Sequence, residues 1–252
     1  MGFDLGGSGS DMRTPSCCCG EARCEWAAYD TMGACHEITQ HFQDELHRPA
    51  FPYKYKLKFA GCPNDCVASV ARADMSIIGT WKDDIQVDTD RIQEYAAGAD
   101  IDIQQDVADH CPTDCIGWDG TTITIDNKNC VKCMHCINAM PKALSPGKER
   151  GATILLGSKA PIIGGALLSS VMVPFLEMKA PFEDLKELVE AIWDLWGEHG
   201  ANRERVGEFI QRIGLGNFLE QIGLDPIPEM VSHPRTNPYI FFELGEDDDE
   251  DE

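Results

Sequence analysis

The chain is short of positive charge: 21 Lys and Arg stand against 43 Asp and Glu, a formal net charge of -22 over 252 residues. Such a surface repels polyanions, so nucleic acid is not an expected partner. Acids remain in excess even without those between Glu243 and Glu252, and the excess reads as a solvated surface rather than an acidic binding face. A secretory signal is also missing at the start. Met1 to Asp11 is polar and glycine-rich with no charged-then-apolar segment, so export is not expected and a cytoplasmic location is. No clean apolar run of membrane-spanning length is present. Ala160 to Leu176 comes nearest, but Pro161, Gly164-Gly165, Ser169-Ser170 and Pro174 interrupt it. It reads as a buried core segment and not as a stable membrane insertion.

Cysteine, by contrast, is abundant, with 12 residues in tight groups. In a reducing compartment such spacing marks metal ligands more often than disulfides. Between the groups the pattern is mixed. Tyr53 to Phe59 alternates Tyr-Lys-Tyr-Lys-Leu-Lys-Phe, a period of two that predicts a strand with aromatic and apolar groups on one face and lysines on the other. A short helix is expected over Val67 to Ala73, and strands at Ile77-Ile78, Ile85 to Val87 and Thr121 to Ile125, the last after an Asp119-Gly120 turn. From Pro181 the apolar spacing becomes helical through Trp196, with Gly197 and Gly200 as a stop, and a second helix is expected over Asn202 to Ile213. The opening Gly6-Gly7-Ser8-Gly9-Ser10 suits either a flexible start or a close backbone approach. The acidic run from Glu246 has no structural pattern. Strands early, cysteines in the middle and helices late describe an α+β protein.

Cys62-Pro63-Asn64-Asp65-Cys66 puts two thiols on one turn, and Cys17, Cys18, Cys19 and Cys24 offer a second pair. Four thiolates fit a cubane cluster; by spacing alone a tetrahedral zinc site fits as well. The preceding strand shifts the balance. Lys54, Lys56 and Lys58 project from one face at intervals of ~6–7 Å and lead into Cys62, with Arg72 following. A basic strand face is most often merely solvated, but cations concentrated beside a metal turn in an acidic protein attract a multiply charged anion.

Cys130-x2-Cys133-x2-Cys136, followed by Met140-Pro141, is a bacterial ferredoxin run whose fourth cysteine has become methionine. The three close cysteines of such a run take a remote Cys-Pro as fourth partner, and Cys111-Pro112 provides it. Cys115 and Cys35 are left as non-ligands, and among Cys17, Cys18 and Cys19 the choice stays open. A ferredoxin-like unit is therefore expected over 101–147, inserted between a body of 1–100 and its continuation over 148–242, with an acidic tail at 243–252.

Gly6 to Ser10 through Arg13-Thr14-Pro15, Cys18-x5-Cys24, the Tyr53 to Phe59 strand and Cys62-Pro63-Asn64-x-Cys66 together resemble the alpha subunits of dissimilatory sulfite reductases, in the sirohaem nitrite/sulfite reductase family. The resemblance implies the C-terminal part of a reductase body with an inserted [4Fe–4S] domain, its N-terminal lobe absent. It implies two [4Fe–4S] clusters: one on Cys18, Cys24, Cys62 and Cys66, with Cys17 and Cys19 as non-ligands and Cys66 bridging to the iron of sirohaem, and one on Cys111, Cys130, Cys133 and Cys136. Arg13, Lys54, Lys56, Lys58 and Arg72 would face the sirohaem carboxylates or bound sulfite. The implied activity is reduction of sulfite to sulfide, or the reverse in a sulfur oxidiser; the alternative is a non-catalytic electron-transfer or structural paralogue with a silent porphyrin site. The implied partners are a beta subunit in an α2β2 heterotetramer and a small sulfur carrier with a cysteine-bearing C-terminal arm. Assimilatory reductases lack the ferredoxin insert as a rule, so Cys111 to Cys136 argues against that branch.

Overall fold

A five-stranded mixed sheet carries the larger half of the protein, in the spatial order Met12–Cys17, Tyr55–Ala60, Met75–Trp81, Arg150–Leu156, Ser170–Leu176. This computed structural model describes residues 7, 9–46, 51–98, 100–160 and 165–225, and the backbone of Tyr239–Ile240. The acidic run from Glu246 lies outside the described residues, as do Gly6 and Ser8 of the opening and 161–164 of the apolar segment.

The first three strands are parallel and the last two antiparallel. Each parallel connection must cross over. One crossover runs through the helix Thr31–His41, capped by Asp30, whose Oδ1 accepts from the Gly33 N–H at 2.9 Å. The other holds the Cys62–Cys66 turn and a helix of only four residues, Ser69–Arg72. That helix was expected from Val67. Ala68 stands at φ 49°, outside the helical region, and Asp65 caps Ser69 instead.

Tyr55, Leu57 and Phe59 point into the main core, while Lys56 and Lys58 between them are half-buried on the opposite face, as the alternation predicts. Helix Glu183–His199 covers the core face with Leu185, Val189, Ile192, Trp193 and Trp196. Gly197 lies within its last turn, and the stop comes at Gly200, whose N–H donates to the Trp196 carbonyl at 2.8 Å. The next helix is Val206–Ile213, shorter than the expected 202–213, because the Glu208 carboxylate accepts from the Arg205 N–H at 2.8 Å and sets the start there. Gly207 lets this helix touch the sheet: a Cβ there would lie 2.0 Å from the Gly157 carbonyl oxygen.

Two further elements differ from the expectation. The apolar segment ending at Leu176 supplies an edge strand, Ser170–Leu176, in which only Met172 is fully buried. Pro174 is tolerated because an edge strand need not donate on both sides. Met12–Cys17 forms the other edge, with Pro15 for the same reason, and was not foreseen. Among the described residues no helix is long and apolar enough to cross a membrane.

A second apolar cluster gathers Ile85, Ile92, Ile103, Val107, Ile116, Met134, Ile137, Met140 and Leu144, together with Cys62 and Trp81 from the body. Its hairpin pairs Ile116–Trp118 with Ile123–Ile125. Thr121 and Thr122 fall in the turn rather than the strand because the Asp119 carboxylate accepts from both N–H groups and both hydroxyls at 2.7–2.8 Å. Those bonds hold the Asp119 carboxyl well below the usual range.

Candidate metal centres

Parallel strands deliver their C-terminal ends to the same edge of a sheet, and two of the candidate cysteines sit there. Cys17 pairs with Phe59, so the next residue on each strand, Cys18 and Ala60, leads directly to the loops. The Cys18 N–H donates to the Phe59 carbonyl at 3.0 Å, and the Cys18 Sγ accepts from the Gly61 N–H at 3.2 Å. Cys62 follows at once. The single-turn helix Gly20–Ala22 folds the chain back so that the Cys24 N–H donates to the Gly20 carbonyl at 2.9 Å. The Cys62–Cys66 turn is pinned by Asp65, whose carboxylate accepts from Ser69 N, Ser69 Oγ and Val70 N at 2.7–3.0 Å. Gly79 on the neighbouring strand permits the turn's close approach, since a Cβ there would lie 2.0 Å from the Gly61 carbonyl oxygen. Burial raises the Cys62 thiol above its ordinary value, with Cys24, Cys66 and Cys18 adding to the rise after a partly offsetting hydrogen bond. Cys62 thus lies within electrostatic reach of the other three thiols, although among the described residues no three such side chains converge tightly enough to hold a single metal ion. Cys19 is exposed, and Cys17 and Cys35 pack against the main core.

The basic face adjoins these thiols. Arg13 is in register with Lys56, and Ser16 with Lys58. The Arg13 guanidinium donates to the carbonyls of Gly7 and Gly9 at 3.2 and 3.1 Å, so the glycine-rich opening wraps around it. Gly7 has to be glycine: a Cβ would lie 1.9 Å from the Met12 carbonyl oxygen. The Lys58 ammonium donates to the Val67 carbonyl at 2.6 Å, across the cysteine turn. Burial, then the charges of Arg205, Lys54 and Arg13, lower the Lys56 ammonium against the opposing pull of Asp74. Lys54 lies beside the strand with its ammonium 5.0 Å from the Tyr53 ring centroid. Arg72 ends the short helix and is exposed. The structure thus places Arg13, Lys56 and Lys58 on one face, with Lys54 and Arg72 at its margins.

Sequence reading missed what stands beneath that face. The Asp74 carboxylate is fully buried and accepts from Arg205 Nε and Nη2 at 2.6 and 2.7 Å, and from the Lys56 backbone N–H at 2.9 Å. Burial raises the Asp74 carboxyl, while the Arg205 charge and hydrogen bonds and the Lys56 N–H oppose the rise. Ser76, in register with Lys58, is also fully buried, and its hydroxyl has no hydrogen-bond partner among the described residues. No spacing signal marks any of these three.

In the second centre, Cys111, Cys115, Cys130, Cys133 and Cys136 line one small cleft, with Ile85, Val107, Ile116 and Met134 forming its apolar wall. The run from Cys130 coils tightly because Lys132 and Met134 take positive φ, 55° and 65°. There the Lys132 N–H donates to Cys130 Sγ, and in the separate turn where Asp114 takes φ 51° the Cys115 N–H donates to Cys111 Sγ, both at 3.4 Å. Burial pushes the Cys136 and Cys115 thiols up to about 12. At Cys111 burial also acts upward, but bonds from the Cys115 and Thr113 N–H groups and side chains outweigh it and lower the thiol. Met140, in the place of a fourth ferredoxin cysteine, is fully buried core. Cys115, set aside by spacing, lies 3.4 Å from Cys111 sulfur to sulfur and faces the same cavity. Thiols around a partly buried apolar cleft, with backbone N–H groups donating to two of the sulfurs, fit an iron–sulfur cluster.

A family model described as nitrite and sulphite reductase 4Fe-4S domain matches residues 8–227. The chain belongs to this family. An iron–sulfur cofactor accords with membership of the nitrite and sulphite reductase 4Fe-4S domain family. The chain is 54% identical over 260 residues to the dissimilatory-type sulfite reductase subunit alpha of Nitratidesulfovibrio vulgaris, covering 98% of this chain and 60% of the relative. It is 46% identical to the corresponding subunit of Allochromatium vinosum, over 95% of this chain and 58% of that one. The crystal structure of dissimilatory sulfite reductase I superposes with a TM-score of 0.87 at 52% identity, covering 95% of this chain and 58% of that chain. The chain thus spans about 60% of the length of these relatives.

Proposed function

We propose that the chain is the cluster-bearing part of a dissimilatory-type sulfite reductase alpha subunit, working at a sirohaem coupled to [4Fe–4S]. The observation that carries this reading is the juxtaposition of a lysine-bearing strand face with the turn that presents Cys62 and Cys66. Cys18, Cys24, Cys62 and Cys66 are assigned to the body cluster, with Cys66, exposed at the end of its turn, as the thiolate shared with the sirohaem iron. Cys111, Cys130, Cys133 and Cys136 are assigned to the second cluster. Bound there, sirohaem and its cluster supply the multi-electron redox chemistry that side chains lack. The side chains handle charge and protons. Arg13, Lys54, Lys56, Lys58 and Arg72 offer cations to the tetrapyrrole carboxylates or to sulfite. A lysine whose ammonium is lowered by burial gives up its proton more readily, which suits Lys56 to proton donation as sulfite oxygen leaves. The same ligands serve the reverse reaction equally well.

By the same reading 101–147 is the electron-relaying insert. A beta subunit completes the assembly, as the likeness to dissimilatory-type alpha subunits implies; sulfite reductase subunits beta also match this chain at 25–26% identity. A small sulfur-carrier protein with a cysteine-bearing C-terminal arm receives the product, in the cytoplasm. A visible absorption spectrum with iron and acid-labile sulfide counts on the assembled protein tests the cofactor set: tetrapyrrole bands with two [4Fe–4S] clusters are expected, and zinc in either thiol set would refute it.

Alanine at Lys54, Lys56 or Lys58 is expected to lower sulfite turnover or tetrapyrrole retention by far more than the ~0.5 kcal/mol of an ordinary surface change. Steady-state kcat/KM and the bound-tetrapyrrole absorbance check this. Normal values in all three single variants would mean that the face is merely solvated.

A further inference from the structure

The two cysteine turns are fastened to one another through a pair of asparagines. Asn64 lies between Cys62 and Cys66, and Asn138 lies two residues beyond Cys136. Asn64 Nδ2 donates to Asn138 Oδ1 at 3.1 Å, and Asn138 Nδ2 donates back to Asn64 Oδ1 at 2.7 Å. A reciprocal carboxamide pair uses one donor and one acceptor from each side chain and so constrains both separation and relative orientation. Among the described residues it is the one side-chain pair hydrogen-bonded between the Cys62–Cys66 turn and the helix His135–Ala139, which carries Cys136.

Two neighbouring contacts close the same seam. Behind the amides, Cys62 is buried in the same apolar cluster as Cys136, Ile137 and Met140. To one side Lys132, between Cys130 and Cys133, donates its ammonium protons to the Trp81 carbonyl and, at 3.3 Å, to the Lys82 carbonyl at the end of a body strand. The lysine ties the insert to the body sheet, whereas the asparagines join one ligand turn directly to the other. Both asparagines are solvent-exposed, and an isolated exposed amide pair contributes little to stability. Its value lies in geometry.

We propose that Asn64 and Asn138 are positioning residues that hold the two ligand turns at a fixed spacing for electron transfer between the centres. This rests on the reading that each cysteine set holds an iron–sulfur cluster. The step is a one-electron transfer: the insert centre is oxidised by one electron and the body centre reduced by one, with no bond made or broken and no proton moved. Its rate falls steeply with separation, so loosening the seam slows transfer without removing a ligand.

The test uses the assembled, cluster-loaded protein mixed with a reduced bacterial ferredoxin freed of excess reductant, a protein donor that does not bypass the insert, and sampled by rapid-freeze electron paramagnetic resonance, in four forms: unsubstituted, Asn64→Ala, Asn138→Ala and the double variant. Iron and sulfide contents and the rate at which the insert signal appears are expected to match in all four. The body signal should follow about tenfold more slowly in each single variant, in line with the sensitivity of such steps to small displacements. The double variant should be no slower than either single, because both changes remove the same contact. Body-centre reduction at the unsubstituted rate in both single variants would overturn the proposal, as would loss of iron from either or a double variant slower by the product of the single effects. Fewer than two clusters in the unsubstituted protein would instead overturn the cluster assignment beneath it.

Discussion

Cys66→Ala is expected to remove the body cluster and change the tetrapyrrole absorption in a single stroke, while Cys136→Ala removes the insert cluster and leaves the tetrapyrrole bands in place. The two thiols have the same chemistry but different surroundings. Cys136 is buried and lines one cleft with Cys111, Cys115, Cys130 and Cys133 and an apolar wall, so the effect of its loss is confined to that site. Cys66 stands exposed at the end of a turn beside the cationic strand face, where one sulfur is proposed to serve two metals. Turnover with a protein electron donor should fall in both variants, because the Cys136 change interrupts the relay and the Cys66 change its destination. Small reductants should bypass only the first defect. Iron and sulfide analysis with visible spectra separates the cases; an unperturbed tetrapyrrole spectrum in Cys66→Ala would sink the bridging role.

Breaking the Asp74–Arg205 pair is expected to destabilise the fold by about 3–5 kcal/mol in either Asp74→Ala or Arg205→Ala, since each leaves the partner charge buried and alone. Arg205 is buried and Asp74 fully so. The Asp74 change should go further, because it also strips the acceptor from the Lys56 backbone N–H and loosens the lysine strand where it faces the proposed anion site. Replacing both by apolar residues of similar volume, Asp74→Leu with Arg205→Met, should recover most of the loss in stability. Denaturant midpoints of the four forms check this, with tetrapyrrole retention as the readout on the strand. Single variants within about 0.5 kcal/mol of the parent would show that the pair is dispensable.

The cysteine spacings and the alternation of Tyr53 to Phe59 were legible without a structure because both are local. A tight metal turn needs its ligands within a few residues, and a strand half-buried on one face repeats every second residue whatever lies beside it. The same holds for the helix ending at Gly200, whose apolar spacing runs over four turns. Where competing local signals exist, the reading failed at the margins. Pro15 hid the first edge strand, and Asp65 and Asp119 shortened a helix and a strand by drawing nearby N–H groups into turns.

What remained was decided by the tertiary structure, because it depends on residues far apart in the chain. Met12–Cys17 lies parallel to Tyr55–Ala60, and that pairing brings Cys18 to Cys62 and Arg13 to Lys56. Arg205 meets Asp74 across 131 residues, and Asn138 meets Asn64 across 74. Cys115, a leftover by spacing, joins the insert cavity because the Cys111–Cys115 segment curls until its N–H groups meet sulfur. Sequence period records which face a residue takes, and so the types of ligand and charge were readable from it. Which two faces meet is settled only when apolar burial outweighs the entropy of closing the long loops between them.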